Sequence, residues 1–187
     1  MNPLTPIDVC NSALQQIANG YQINSFDDQD APSRACRQFY PQCRRMFLGY
    51  TEHDFSFATT RQTLVPISGK NNWYQLPSNM VRTISIDGSE RREYYIEGDQ
   101  IYTEIANPVL IYIKDDNQLK WFPADAVESL IFYLASKLAL AIKQDANLSN
   151  ALLNKAEAYA RKTAKADIRN LRIDKIPESA SEIQGAR

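Results

Sequence analysis

Residues 123–142 read PADAVESLIFYLASKLALAI. Apolar side chains recur along this stretch at three- and four-residue spacing: Val127, Leu130, Ile131, Leu134, Leu138 and Ile142. This spacing is typical of an α-helix with a wide buried face. Pro123 lies near the first turn, where proline is tolerated because its missing N–H has no helical partner. The stretch therefore predicts a long helix that contributes to the core.

Three more helices are predicted from similar patterns. Thr5-Pro6 is typical of a helix start, and the apolar spacing that follows continues to Gly20. A second helix should begin near Asp30 and end near Gly49, with a kink where Pro41 removes a backbone hydrogen bond. The last helix is predicted from about 148 to 171, and its many alanines should let it lie tightly on the preceding helix. The arginines of the second helix are expected to point mostly outward: Arg34, Arg37, Arg44 and Arg45.

The pattern between the two helical regions is that of β-structure. Six short strands are predicted there, at 63–67, 73–76, 83–87, 93–97, 100–103 and 109–113, because β-branched and aromatic residues alternate between breaks rich in Gly, Pro and Asn. Gly98 lies between two alternating runs and predicts a hairpin. Strands with no helix between them favour an antiparallel sheet or a small sandwich.

The predicted fold class is therefore α+β, an antiparallel bundle of about four helices with an inserted small antiparallel β-sheet or sandwich sub-domain. The parts are expected at 1–54 for the N-terminal helices and 55–120 for the β sub-domain. The C-terminal helices follow at 121–172. The last part, 173–187, lacks an apolar period and is expected to be a flexible tail.

Composition bounds the class of protein. The chain has 187 residues, of which 44% are hydrophobic, as in one soluble globular domain. Its 21 basic and 22 acidic residues give a formal charge of −1, which argues against a strongly basic nucleic-acid binder. We expect no membrane span, because no run approaches about 18 apolar residues, and no signal peptide, because the first residues lack its basic and apolar parts.

No catalytic or metal constellation is evident. Cys10, Cys36 and Cys43 are interpreted as buried structural thiols in a reducing compartment, because Cys36 and Cys43 are too far apart along one helix for a disulfide. His53 is interpreted as an isolated histidine on the surface or at a helix end. The acids at 27, 28 and 30 are interpreted as a charge cluster at a helix N-terminus. The tyrosines and tryptophans of this region are interpreted as core residues or cross-strand pairs rather than a sugar- or base-stacking surface: Trp73, Tyr94, Tyr95, Tyr102, Tyr112 and Trp121.

Two segments carry opposite charge. Residues 84–116 hold eight acidic and three basic residues, a net charge of −5, whereas residues 154–175 hold seven basic and three acidic residues, a net charge of +4. A solvated helix face explains the basic segment without any partner, but opposed charges also suit head-to-side assembly of identical subunits. The candidate interface residues of the basic segment are Lys155, Arg161, Lys162, Lys165, Arg169, Arg172 and Lys175. Those of the acidic segment are Asp87, Glu90, Glu93, Glu97 and Asp99.

Several motifs follow one another along the chain in a recognisable order. They are IDVCNSALQQI at 7–17, INSFDD at 23–28, SRACRQFY at 33–40, HDFSFA at 53–58, YQLP at 74–77, YIEG at 95–98, VLIYI at 109–113 and FPA at 122–124. In this order they resemble phage head-to-tail adaptor (connector) proteins of the tail tubular protein A type, from podovirus-type phages. HDFSFA lies where relatives often have His-Pro-Trp-Asn-Phe-Ala, so Asp54 and Phe55 depart from the pattern. The resemblance covers roughly residues 5 to 170. It implies that the basic candidate residues form a subunit or portal interface, and that the acidic ones contact tail parts or a neighbouring subunit.

The resemblance implies a structural virion protein without enzymatic activity or cofactor. Such adaptors form rings, commonly of twelve subunits, that dock under the portal protein and bind the tail nozzle or tube on the other side. Double-stranded DNA passes transiently through the centre. The implied location is the head–tail interface of the virion, with the host cytoplasm occupied during assembly. Alternatives are another tail-side component, such as a tail-completion or nozzle-associated protein, and less favourably a DNA-packaging subunit or an enzyme.

Overall fold

The computed structural model describes residues 4–17, 20–49, 53–86 and 94–173, with side chains up to residue 168. Across these residues the chain forms a mixed α+β structure with four α-helices and two small antiparallel sheets. This confirms the predicted α+β class. The predicted tail lies almost wholly outside the described residues, since these end at 173. The division into 1–54, 55–120, 121–172 and 173–187 stays a prediction.

The four helices are α1 (Pro6–Gln16), α2 (Ala31–Leu48), α3 (Ala124–Leu138) and α4 (Ala146–Ile173). Thr5 caps α1 through a reciprocal capping box with Asp8, and the Asp30 side chain caps α2 by accepting from the Ser33 N–H. The helix α2 continues through Pro41 to Leu48. A π-helical turn (Ala139–Lys143) follows α3 and ends at Gln144 in the left-handed conformation.

Helix α3 contacts each of the other three helices. Its residues Leu130, Leu134 and Leu138 are fully buried. The hydroxyl of Ser129, also buried, donates to the Ala156 carbonyl of α4 at 2.8 Å, so this polar group is satisfied inside the core. The core side of α4 carries small side chains, among them the fully buried Ala156 and Ala160. The predicted close approach to α3 is therefore confirmed for the buried alanines of α4, whereas Ala146, Ala151 and Ala158 are exposed.

The strands are β1 (Thr59–Thr63), β2 (Val65–Pro66), β3 (Trp73–Gln75), β4 (Met80–Ile86), β5 (Tyr94–Glu97), β6 (Gln100–Thr103) and β7 (Val109–Lys114). One sheet has the order β1-β7-β4 and the other the order β2-β3-β6-β5, and every pair is antiparallel. The predicted hairpin is confirmed as the β5–β6 pair, with Gly98 at φ +60° in its turn.

The prediction of one strand over 63–67 is wrong. Strand β1 ends at Thr63, and Val65–Pro66 pairs with β3 in the other sheet. Between them, Leu64 is 4% exposed, and its N–H donates to the Pro108 carbonyl at 2.9 Å. The chain changes sheets at Leu64 because this side chain is buried in a core that both sheets share.

Two separate cores hold the chain together. The larger contains the inward faces of all four helices together with Phe55 and Ile113. The smaller draws on both sheets and comprises Leu64, Leu76, Ile86, Ile101, Leu110 and Tyr112. Strand β7 contributes to both, through Ile113 to the first and Leu110 to the second. This strand therefore links the helical part to the β part.

The three cysteines are free thiols and buried, as predicted. Cys10 and Cys36 are 0% exposed and Cys43 is 1% exposed, all within the helical core. Burial raises the pKa of Cys43 to about 12, because a thiolate is poorly solvated there. These side chains act as small apolar core residues.

We expect that Ala156→Leu lowers the free energy of unfolding by about 1–3 kcal/mol, because a larger side chain must be forced between α3 and α4. The matched control is Ala158→Leu on the exposed side of the same helix, which should change stability by less than about 0.5 kcal/mol. Urea denaturation of both variants gives the comparison. Equal effects at the two positions would contradict the close packing of α4 on α3.

Candidate functional site

The predicted basic surface lies on α4. Lys155, Arg161, Lys162 and Lys165 are all exposed, and separations of three, four and seven residues place them on one side of the helix. Arg169 and Arg172 belong to the same helix, but their side chains, like the whole of Lys175, lie outside the described part of the structure. Four of the seven predicted interface side chains are therefore located, and they share one surface.

Intramolecular contacts already occupy part of this basic surface. The ammonium group of Lys162 donates to Asp125 of α3 at 2.8 Å, and this hydrogen bond raises the pKa of Lys162. Arg161 lies 3.7 Å from Glu157, one turn earlier in α4. The Lys155 ammonium lies 5.5 Å from the centre of the Phe132 ring. Of the described basic residues on α4, Lys155 and Lys165 have no ion pair, and their charges are free for a partner.

The predicted acidic contact is located only in part. Asp87, Glu90 and Glu93 lie outside the described residues. Glu97 and Asp99 flank Gly98 in the β5–β6 turn, where both are exposed. Asp99 is held in place there, because its carboxylate and its carbonyl both accept from the Gln75 amide. The two described acids therefore lie on the β part, whereas the basic residues lie on a helix of the other core.

A buried ion pair joins the helices to the sheets. Arg44 of α2 is 8% exposed, and its Nε lies 2.6 Å from Asp115, just after β7. Arg44 also donates to Asn117, and Arg45 reaches both Asp115 and the Met80 carbonyl. Burial lowers the pKa of Arg44, but the hydrogen bond and the charge of Asp115 outweigh it and the net shift is upward. The expectation that Arg44 points outward is therefore wrong.

A second buried polar cluster lies where α4 meets residues 53–58. Asp167 of α4 is 5% exposed and accepts from three donors: His53 Nε2 at 2.6 Å, the Ser56 N–H at 2.8 Å and the Ser56 hydroxyl. Arg82 of β4 adds a hydrogen bond to the His53 carbonyl at 2.6 Å. The interpretation of His53 as an isolated surface or helix-end histidine is wrong.

This cluster is not arranged as a nucleophilic triad, although it contains Ser, His and Asp. A triad needs the histidine between the serine and the carboxylate, so that the ring can take the hydroxyl proton. Here the Ser56 hydroxyl donates directly to Asp167, which also holds His53. The carboxylate is the hub of the cluster, and the arrangement fixes residues 53–58 against α4.

The aromatic residues of 53–58 reinforce that contact. Phe55 stacks on Phe47 of α2 with ring centres 4.9 Å apart. Phe57 lies 5.2 Å from Phe55 and 5.1 Å from Phe122, which precedes α3. The segment that resembles the adaptor motif thus lies where helices α2, α3 and α4 meet the first strand.

The acidic residues near the start of α2 have local structural roles. Asp28 accepts from the backbone N–H groups of Asn24 and Ser25. Hydrogen bonds from Ser33 lower the pKa of Asp30, the N-cap of α2. The interpretation of these acids as a helix N-terminal cluster is confirmed for Asp30. Among the residues with described positions, no group of three or more His, Cys, Asp or Glu side chains could hold a metal ion.

The strand aromatics divide into two sets. Tyr112 is 2% exposed in the smaller core, and Tyr94 packs against that core. In contrast, Trp73, Tyr95 and Tyr102 form cross-strand pairs on the β2-β3-β6-β5 sheet, and Tyr95 is 52% exposed. Both the core and the cross-strand interpretations are therefore confirmed, for different residues. For Trp121 the interpretation is wrong, because this residue ends a short 3₁₀ turn (Leu119–Trp121) and is 66% exposed. The sequence indicated that aromatic residues would pair across strands, but it did not indicate that Trp73, Tyr95 and Tyr102 would lie together.

One open cleft lies beside the Arg44–Asp115 pair. Its volume is about 280 Å³, and its walls include Phe26, Tyr40 and Arg37. Arg44 also lines it, but the charge of Arg44 is directed to Asp115. A typical small-molecule pocket measures about 300–1,000 Å³ and encloses most of its ligand. This cleft is just below that range, and Arg44 and Asn117 in its wall are already hydrogen-bonded to each other.

Comparison with known proteins gives no further assignment. The chain matches no model of a known protein family. It also matches no curated protein. No helix in the described ranges is long and apolar enough to cross a bilayer.

We expect that Asp167→Ala lowers the free energy of unfolding by about 2–5 kcal/mol, because His53 and Ser56 would lose a buried acceptor. Asp125→Ala is the matched control, since it removes an α3–α4 ion pair whose Lys162 side chain is 65% exposed. Such an exposed pair contributes about 1 kcal/mol or less. Urea denaturation measures both, and similar losses would contradict the role of Asp167 as a buried hub.

Proposed function

We propose that this chain is a head-to-tail adaptor of a podovirus-type phage. In this proposal, copies of the chain form a ring under the portal protein and join it to the tail nozzle or tube. The observation that carries the proposal is the ordered set of adaptor-like motifs over residues 5–170, on a mixed α+β chain with four helices and two sheets. The packing of the 53–58 motif between three helices and β1 supports it, because this segment occupies a structural junction rather than an exposed loop.

The finer architecture belongs to the same proposal. The four helices act as an antiparallel bundle that forms the wall of the ring, and the two sheets act as a small sandwich sub-domain that projects toward tail parts. The presence of two core clusters supports this division, although Ile113 of β7 lies in the helical cluster. The Arg44–Asp115 and His53–Asp167 contacts support a fixed orientation between the two parts.

The opposed charges supply the contacts of the ring. The basic α4 surface meets the portal or an acidic neighbour, and the acidic hairpin meets tail parts or the basic surface of the next subunit. Lys155 and Lys165 carry the unpaired charge on the described part of α4, whereas Lys162 and Arg161 already have intramolecular partners. Charge complementarity of this kind sets orientation and partner choice more than raw affinity.

DNA contact in the channel is transient. A lumen that conducts DNA must not hold phosphates through many lysines, because each such contact adds to the affinity that ejection has to overcome. The formal charge of −1 supports this account. The protein then needs no cofactor, and its place is the head–tail interface of the virion after assembly in the host cytoplasm.

Co-expression with the portal protein of the same genome tests the proposal. We expect the chain to co-purify with the portal. The double variant Lys155→Glu, Lys165→Glu should lower the amount of chain that co-purifies at least tenfold. The matched control is Lys120→Glu with Lys143→Glu, which makes the same charge change at exposed lysines elsewhere. Recovery of the control should equal that of the unmodified chain.

The outcomes distinguish the adaptor function from the proposed role of the α4 surface as the portal interface. If the unmodified chain does not co-purify with the portal, the adaptor function is overturned and a tail-side component becomes the better account. If both double variants co-purify equally, the adaptor function survives, but the α4 surface is not the portal interface.

A second test uses the C-terminal residues. We expect deletion of 174–187 to leave the thermal unfolding temperature unchanged and to impair docking, because the portal would order this segment on binding. Thermal unfolding and a virion-completion assay measure the two effects. A truncated chain that still completes virions would remove the proposed role of this segment.

A further inference from the structure

Three aromatic rings form a cluster on the β2-β3-β6-β5 sheet. The Trp73 ring lies 5.2 Å from Tyr95 and 5.8 Å from Tyr102, nearly edge-on to both. The Tyr95 and Tyr102 rings stack on each other at 5.1 Å. We call these three residues the aromatic corner, because the planes of the stacked tyrosine rings are steeply inclined to the plane of the Trp73 ring.

The aromatic corner faces away from the core of the β part. Side chains alternate along a strand, so the neighbours of Tyr102 in β6 point to the opposite face. Those neighbours, Ile101 and Thr103, are both 0% exposed. Tyr95 remains 52% exposed, and Trp73 and Tyr102 are half-buried. A cluster of three large rings that is partly open to solvent is a typical contact surface.

Carboxylates surround the aromatic corner. Glu97 lies two residues after Tyr95 and on the same face of β5. Glu104 accepts a hydrogen bond from the Tyr102 hydroxyl at 3.1 Å, and Asp99 lies in the turn beside Glu97. Among the described residues, no cation forms an ion pair with Glu97. The surface thus combines electron-rich ring faces with negative charge, which favours cations and repels phosphate.

The protein already places one of its own cations here. The Lys70 ammonium lies 5.2 Å from the centre of the Trp73 ring and donates to the Gln100 amide oxygen at 2.8 Å. Lys70 is exposed, so neither burial nor an ion pair within the described residues forces it onto the ring. This contact shows which chemistry the surface accepts, and Lys70 covers part of the Trp73 face.

We propose that the aromatic corner is a docking site for a lysine- or arginine-bearing segment of a partner protein. The incoming cation lies against the ring faces of Tyr95 and Trp73, and its charge is balanced by Glu97 and Asp99. Lys70 occupies part of the same Trp73 ring face. It therefore lowers the affinity for the partner segment, which has to displace the Lys70 ammonium group. This docking site does not depend on the adaptor function. Loss of peptide binding at the aromatic corner and loss of association with the portal are therefore separate results.

Nuclear magnetic resonance on the full chain tests this site with defined probes. The probes are acetylated, amidated pentapeptides of sequence GRGRG and GKGKG. The neutral control replaces arginine by citrulline, which keeps the shape of the side chain and removes its charge. The chain has two tryptophans, so the Trp121→Phe variant assigns the Trp73 indole N–H signal. We expect this signal to move with the two cationic peptides and to stay unchanged with the citrulline peptide.

Substitutions then separate ring contacts from general electrostatics. Tyr95→Leu leaves the net charge unchanged and should weaken peptide binding about three- to fivefold, the loss of one exposed cation–π contact. Lys70→Gln should tighten binding severalfold, because it uncovers the Trp73 face. Lys120→Gln is its matched control, since Lys120 makes the same kind of contact with the exposed Trp121, at 4.7 Å. It removes the same charge elsewhere and should not tighten binding.

Several results would overturn the proposal. Equal shifts with the arginine and citrulline peptides would show an apolar surface without preference for cations. Unchanged binding in Tyr95→Leu, with an unfolding temperature equal to that of the original chain, would show that the rings do not contribute. Equal tightening by Lys70→Gln and Lys120→Gln would show an effect of net charge alone. A larger Trp73 shift with chitotriose than with the peptides would show a sugar-binding surface instead.

Discussion

The fold depends on covering helix α3 from several directions. Its leucines at 130, 134 and 138 are fully buried, and α1, α2 and α4 all contact it. A helix that is apolar around most of its surface cannot stay in water, so these helices must assemble around it. Ser129 fits this surrounding because its hydroxyl is satisfied by the Ala156 carbonyl of α4. The small buried side chains of α4 then let α3 and α4 lie close together.

The β part is joined to the helical part by apolar contacts of β7, whose Ile113 lies in the helical core, and by buried polar contacts. Arg44 reaches Asp115 at the end of β7, and Asp167 reaches His53 and Ser56 ahead of β1. Buried charges are costly unless they are paired with good geometry, so each contact tolerates little displacement. The sheets are therefore held in a defined orientation, which a protein that transmits contacts between two larger assemblies would need.

The local spacing of apolar residues predicts most of the helices and strands. This is possible because the periods of helices and strands depend only on residues that are close together in the sequence. The α4 start at 148 and end at 171 were within two residues of Ala146–Ile173, and the β5–β6 hairpin followed from Gly98. The apolar spacing through Ile142 concealed the end of α3. Regular helix stops at Leu138, and a π-helical turn leaves Leu140 54% exposed.

The buried polar contacts are predicted less well from sequence, because the partners in each contact are distant along the chain. Arg44 and Asp115 are 71 residues apart, and His53 and Asp167 are 114 residues apart. No local period relates such positions, so only the tertiary structure reveals these pairs. The basic face of α4 was accessible to sequence reasoning, since helical spacing alone places Lys155, Lys162 and Lys165 together. The aromatic corner required the strand register, which sequence reasoning did not provide.

The central claim is that this chain assembles into a ring on a portal protein. The most direct test is the mass by light scattering of the chain alone and with the portal protein of the same genome. The account predicts a 21.3 kDa chain that forms a stoichiometric ring on the portal. Absence of any association with the portal, whether the chain alone is a monomer or a ring, would contradict it.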